Sequence, residues 1–495
     1  MQAMRELLAS LSEQSLSSDR LLLVTAPVLS EHGSAALLWT QLSLPLLRFA
    51  PPAERGTGLP ASGLGEAVRI TGDGPLALET VREAADALFA RMVNKSHPSC
   101  LLLPAPRLYG CFRFELGLPP TLLHPEAAHD PWQSFATASF VLPRWLLLQT
   151  PSQLLLQLAI PASERTHLAA VYQELAAIEE ALLRPMDDVV GSQSPAKLIV
   201  CNELPADSYC AMIEKALTEI AAQRVQKVVP ARRSHLRLDR HLQPQQILCA
   251  LDDSYPQCNR FAFTRDESTL LGATPELLVG RSGRRVRTEA LAGTRARTKD
   301  SDDEKLGQSL LQDDKERREH DHVIAAIVDS LHSCGVRDVQ VDATGLRLLR
   351  NVMHLCTPIQ GQLAHPQHVL DLVAALHPTP AVCGLPREAA AHFLAQTEPV
   401  SRGGYAAPVG YFDADGCGEF WVALRSALIR AEEAWLYAGA GVVAGSDPAT
   451  EYAETEAKLR AMRSVIGGVA RAAIYTARGL DCLRCLWPKP ESAVW

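Results

Sequence analysis

A lysine, Lys227, stands inside the apolar run QKVVPAR. A Val-rich strand rarely carries a lysine on its buried face unless the amine is paired or used. Burial lowers an amine's pKa from about 10.4, the direction a base working near neutrality needs. The same pattern also fits a lysine facing solvent from a strand edge. Glu276 follows Pro275 in GATPELL and opens an apolar strand, with Thr274 biased towards an extended conformation. Burial there raises a carboxyl and suits it to donate a proton, whereas an exposed turn would do neither. Two helical segments carry carboxylates three residues apart, on one face each: Glu316 and Glu319 in DDKERREHDHV, Glu451 and Glu454 in TEYAETEAK, with Lys458 one turn beyond. Such runs commonly face water. Brought together across a cleft, they would form an oxygen-only site suited to Mg²⁺.

Arg425 interrupts FWVALRSALI, where period two gives it a face shared with Trp421 and Ala423. A buried guanidinium there needs a carboxylate, either an internal Asp or Glu or one on a substrate. AGAGVVAG (438–445) lacks the GxGxxG spacing and the Walker lysine. Its glycines suit close approach of backbone N–H groups to an anionic ligand.

The elements that must position these residues are mixed. Before residue 184 the chain alternates strand-like runs (21–29, and several between 101 and 160) with helical stretches (79–93, 164–183). RPMDDVVGSQSPAK (184–197) reads as a linker. Beyond it, 207–222 and 244–251 are helical, 225–238 extended, and 260–291 strands with tight turns. A long charged helical segment (302–333), strands through 339–363 and helices at 366–377 and 386–397 follow. A meander then leads to a helix starting near Pro448, with Ser446-Asp447 as its cap. Antiparallel meanders interleaved with helices predict an α+β fold with helices outside the sheets.

With 495 residues, 47% apolar and 21% charged, the chain has an ordinary globular composition, which excludes disorder and fibrous repeats. The net charge of −8 gives no nucleic-acid or anionic-membrane footprint. The N-terminus lacks a signal-peptide core, and the richest apolar tract, Phe140 to Ile160, is broken by Pro143, Arg144 and Pro151. Twelve cysteines are too sparse for a disulfide scaffold, so reduced thiols and a cytoplasmic location are expected. Cys482 and Cys485 form a lone CxxC without a second ligand pair.

Taken in order, KVVPAR, GATPELLVGR, EALAGTRAR, EHDHV, HLCTPIQGQL, LHPTPAVCGLP, GYFDADGCGEFWVALRSA and LYAGAGVVAGSDPATEYAETEAK resemble the chorismate-utilising enzymes, the family of isochorismate, salicylate, anthranilate and aminodeoxychorismate synthases. The resemblance divides the chain into a variable N-terminal part (1–190), a chorismate-binding catalytic domain (191–470) and a tail without an assigned role (471–495). It implies antiparallel sheets in a sandwich, in the chorismate-binding-enzyme fold. It further implies that Lys227 activates water for attack at C2 of chorismate and that Glu276 protonates the departing C4 hydroxyl. Glu319 and Glu454 would hold Mg²⁺, supported by Glu316 and Glu451. Arg425 would take a substrate carboxylate, with Gly439, Gly441, His354, Thr357 and Ala381 around the ring. Lys227 would then act neutral and Glu276 protonated, and burial shifts each that way.

Within the family, Lys227 favours water addition, since anthranilate synthases resemble one another in lacking that lysine and aminodeoxychorismate synthases use theirs covalently. The pyruvate-eliminating relatives tend to carry threonine where Ala381 stands. The expected activity is isochorismate synthesis, which feeds menaquinone, siderophore and salicylate routes. A salicylate synthase is the alternative, followed by an aminating synthase or a non-catalytic chorismate-binding homologue. No glycine-flanked nucleophilic Cys with a downstream His-Glu pair occurs, so no amidotransferase subunit is expected. Pro230 departs from the aliphatic residue usual in relatives and predicts a bulge or edge just past Lys227.

Overall fold

The computed structural model describes residues 1–11, 17–28, 46–52, 58–118, 130–183, 196–297 and 302–469. The expected linker core, the C-terminal tail and its Cys482 and Cys485 lie outside the described residues. The ten described cysteines are free thiols. No described helix is long and apolar enough to cross a membrane.

The fold is α+β, built on one connected antiparallel network with a single parallel pairing, Leu21–Val28 beside Met92–Ser96, among the described residues. Strands from before the linker join strands from after it. Leu46–Ala50 pairs with Asn259–Arg265, and Arg107–Phe112 pairs with Pro408–Asp413. Aromatic rings cross the same junction: Phe140 lies 5.1 Å from Phe112 and 5.2 Å from Phe412, both edge-on. Edge-to-face rings of this kind add to the burial of large apolar area, and here they lock the two parts of the chain together.

Three elements depart from the sequence expectation, each for a local reason. The extended stretch 225–238 breaks at Val229-Pro230. Lys227–Val228 pairs with Gly384–Leu385 in a separate two-stranded sheet, while Ala231–Leu238 enters the main sheet beside Glu433–Gly439. Pro230 has no N–H to give a ladder, and its carbonyl accepts from the Tyr209 hydroxyl and the Ala440 N–H instead. The charged segment is two helices, Asp303–Gln312 and Asp314–Ser333. Asp313 ends the first and caps the second, its carboxylate accepting from the N–H groups of Lys315 and Glu316 at 3.0 and 3.1 Å. Finally, FWVALRSALI is two strands, Gly418–Val422 and Ser426–Arg430, and Arg425 sits in the break with φ 49°. The period-two face assigned to Arg425 therefore does not exist, because a left-handed residue turns the chain and resets the alternation.

Candidate active site

Lys227 has no exposed surface, and its Nζ donates to Glu319 Oε1 at 2.8 Å. The neighbouring backbone is pinned on both sides: Gln226 N–H bonds the Leu385 carbonyl, while Val228 exchanges hydrogen bonds with Val442. The Lys227 amine and the Glu319 carboxylate form a buried ion pair. Glu319 comes from the second charged helix, whose buried face is Glu316, Glu319, His320, Val323, Ile327 and Leu331, the three-and-four spacing of a helix against a core. Burial would raise the Glu319 carboxyl, yet Lys227, Lys458 and Lys315 outweigh it and hold the group below its ordinary value. Gly441 closes this corner: a Cβ there would lie 2.5 Å from Glu319 Oε1 and 3.2 Å from Lys227 Cε.

Glu276 sits in the short connection between strands Ser268–Thr274 and Leu277–Ser282, and is 4% exposed. Burial, reinforced by the negative charge of Glu289, pushes its carboxyl up to about 8, against the opposing charges of Arg425, Lys227 and Lys458. It is therefore a protonated acid at neutral pH among cationic side chains. The chain around it is held firmly. The Glu276 N–H reaches Thr274 Oγ1, and its carbonyl accepts from Val422.

Four carboxylates and three lysines form one electrostatic group. Lys315 donates to Glu451 Oε1 at 2.8 Å, and Lys458 lies 2.6 Å from Glu454 Oε1 and 2.8 Å from the Gly439 carbonyl. Glu316 accepts from the Thr294 N–H at 2.8 Å. Its carboxyl is raised to about 7 by burial and by the charge of Glu319; burial and Glu454 raise Glu451 likewise. As they stand, no three His, Cys, Asp or Glu side chains among the described residues converge closely enough to hold an ion. The donor chemistry nevertheless fits magnesium, because all the donors are carboxylate oxygens and burial, with the negative charge of neighbouring glutamates, raises two of these groups, Glu316 and Glu451. A divalent cation would keep them ionised, taking the place of an ammonium.

Arg425 Nη2 donates to His354 Nε2 at 2.8 Å, and among the described residues it makes no ion pair. Of the two partners left open for it, the internal Asp or Glu is not found among the described residues, and an imidazole contacts the guanidinium instead. Since arginine cannot accept, His354 Nε2 is unprotonated and Nδ1–H faces Thr294 Oγ1 at 3.1 Å. Burial, with Arg425 and Lys458 nearby, holds His354 well below its ordinary value, so the ring adds no charge of its own. The guanidinium has no carboxylate partner among the described residues. Thr357 stands apart. It is three residues along Val352–Leu363 from His354 and hence on the opposite face, with its hydroxyl between His320 Nε2 and Thr344 Oγ1, each at 2.8 Å. Ala381 lies in the turn before Cys383, whose carbonyl accepts from the Val229 N–H beside the Lys227 strand.

Sequence reasoning missed several participants. Lys315 was hidden in a charged run, and Lys458 carried only the signal of an i, i+4 partner. Glu289, Arg347, Glu398 and Arg402 gave no local signal. Tyr405, buried with its ring 5.4 Å from Tyr437, lies within electrostatic reach of Lys458 and Arg425.

Comparison with known proteins shows the family of the chain. The family described as "Chorismate binding enzyme" matches residues 53–467. The isochorismate synthase MenF of Bacillus subtilis is 35% identical over 367 residues, covering 74% of this chain and 76% of that protein. The salicylate biosynthesis isochorismate synthase of Pseudomonas aeruginosa is 39% identical over 374 residues, with the same coverage of 74% and 76%. Among solved structures, the menaquinone-specific isochorismate synthase MenF of Escherichia coli superposes with a TM-score of 0.76 at 27% identity, covering 94% of this chain and 99% of that one. Running from the first half of the chain through to its last described helix, the match makes this chain a member of the chorismate-binding enzymes.

Proposed function

We propose that the protein converts chorismate to isochorismate, with Lys227 as general base and Glu276 as general acid. The observation that carries the reading is Glu276: a buried carboxyl that keeps its proton to pH about 8, within reach of the Arg425 charge. Hydroxyl transfer balances without any redox partner. Lys227 takes a proton from water as the water oxygen bonds to C2. The ring double bond shifts, the C4–O bond breaks, and Glu276 gives its proton to the departing hydroxyl, which leaves as water. Lys227 accepts that proton as a neutral amine, so the ammonium paired with Glu319 must first release a proton to solvent.

Glu319 and Glu454 would hold Mg²⁺, with Glu316 and Glu451 behind them. Bound there, the ion supplies positive charge that neutralises a substrate carboxylate and fixes the ring. Arg425 takes a carboxylate with its planar fork.

Product analysis of purified protein with chorismate and Mg²⁺, without ammonia, tests the reading. The expected product is an isomer of chorismate, formed reversibly and lost on adding EDTA. Salicylate with pyruvate would move the protein to the pyruvate-eliminating branch and remove Ala381 as a marker. Turnover only with ammonia would move it to the aminating branch, and silence in both would leave a binding homologue.

A further inference from the structure

Two glutamate–arginine pairs grip the backbone at the acid and just past the base in the same way. At the acid, Arg347 Nη1 donates to the Pro275 carbonyl at 3.2 Å and Glu289 Oε1 accepts from the Leu277 N–H at 3.0 Å. The two are joined at 3.2 Å. Past the base, Arg402 Nη2 donates to the Val229 carbonyl at 2.6 Å, and Glu398 Oε1 accepts from the Ala231 N–H at 2.8 Å. Arg402 Nε lies 2.9 Å from Glu398 Oε2. In both, the arginine holds one carbonyl and the glutamate holds the N–H two residues further on, so that one residue is straddled: Glu276 in the first, Pro230 in the second.

Apolar residues could fill the same space, and a buried ion pair contributes little to stability because desolvation offsets its attraction. Apolar residues could not hold a carbonyl and an N–H at fixed spacing. Both straddled sites need that, because each lies where a strand breaks, and the Leu277 and Ala231 N–H groups are held there by a glutamate in place of a regular ladder. Arg402 also donates to the Val382 carbonyl at 2.7 Å, tying the turn of Ala381 to the strand of Lys227.

We propose that Glu289–Arg347 and Glu398–Arg402 are positioning pairs that set the acid and the base strand in register with the substrate, Glu289 through its bond to the residue next to the acid. This rests on the roles proposed above for Lys227 and Glu276. Of the charged groups acting most on Glu276, those being Glu289 from the adjoining strand, Arg425 from the strand break, Lys227 from its two-residue strand and Lys458 from the last helix, only Glu289 is negative.

The test uses Glu289→Gln, Arg347→Ala, Arg347→Lys and Glu398→Gln in the full chain. Chorismate turnover is measured across pH, together with thermal stability and an infrared titration of the Glu276 carboxyl referenced to Glu276→Gln. Arg347→Ala is expected to lower kcat about 100-fold with KM changed less than about 3-fold, and Arg347→Lys to recover part of it. Glu398→Gln lowers kcat in the same KM-sparing way. Glu289→Gln keeps an acceptor for Leu277, and moves the high-pH limb and the infrared titration to lower pH. Lower melting temperatures with kcat, KM and titration unmoved would overturn the proposal. Where Arg347→Ala fails to fold, Glu289→Gln decides, and an unmoved titration overturns it. If the wild type does not turn over chorismate, the functional reading fails on its own, while the infrared titration, which needs no turnover, still decides the coupling of Glu289 to Glu276.

Discussion

Lys227 and Glu319, 92 positions apart in sequence, meet at 2.8 Å with the lysine fully buried. An ammonium and a carboxylate taken out of water depend on each other: removing one strands the other's charge.

Single replacements Lys227→Met and Glu319→Gln are each expected to cost about 3 kcal/mol in metal-free protein, and the double replacement clearly less than their sum. Chemical denaturation of the four proteins gives the coupling; additive losses would show that the pair contributes nothing as a pair. In kinetics, Lys227→Ala should abolish isomerisation while chorismate still binds in calorimetry. Near-normal turnover would remove Lys227 as the base.

Gly441→Ala places a methyl where Glu319 Oε1 now lies. The carboxylate can move aside only by loosening its buried pair with Lys227, so stability should fall by about 2 kcal/mol, less than for full loss of the pair. Activity should fall about 100-fold, because the displaced carboxylate is the one paired with Lys227. A variant with wild-type kcat would show that this close approach is incidental.

The pH dependence follows from Glu276. With its carboxyl raised from 4.5 to about 8, the acid is competent below that pH, and kcat/KM should fall as pH rises through it. The sign for stability is the same: the contribution is intact below the unfolded value and is lost as pH rises towards the folded one. Glu276→Gln should escape that loss and be more stable than wild type by about 4 kcal/mol at pH 8, with little difference near pH 4. Denaturation at the two pH values checks it; equal gaps at both would deny the buried, raised carboxyl.

Metal dependence separates the carboxylates. Glu319→Ala or Glu454→Ala should raise the Mg²⁺ concentration for half-maximal turnover at least about 10-fold, since each removes a charged oxygen donor. Magnesium titrations of activity read this directly, and unchanged curves in both variants would refute the assignment.

Residue type and local period singled out Lys227, Glu276 and the two Glu-x-x-Glu faces as candidates, since spacing on a helix and an ionisable group in an apolar run are properties of a few neighbouring residues. They left an edge lysine, a turn glutamate and solvated helix faces open until the ordered run of segments was matched to a family. Local sequence also marked the caps at Asp447, whose carboxylate accepts from the Thr450 N–H at 2.8 Å, and the disturbance at Pro230. Arg425 was visible as an oddity, but not its left-handed backbone or its imidazole partner. Thr357 shares a strand with His354, yet strand parity turns its hydroxyl to His320. Lys458 answers Glu454 at the local i, i+4 spacing, but the other partners depended on tertiary structure: Lys315 meets Glu451 across 136 residues, and Arg347 reaches Glu289 across 58. Such partners are chosen by strand register and helix docking, which sum over the whole sheet, so no local stretch of sequence contains them.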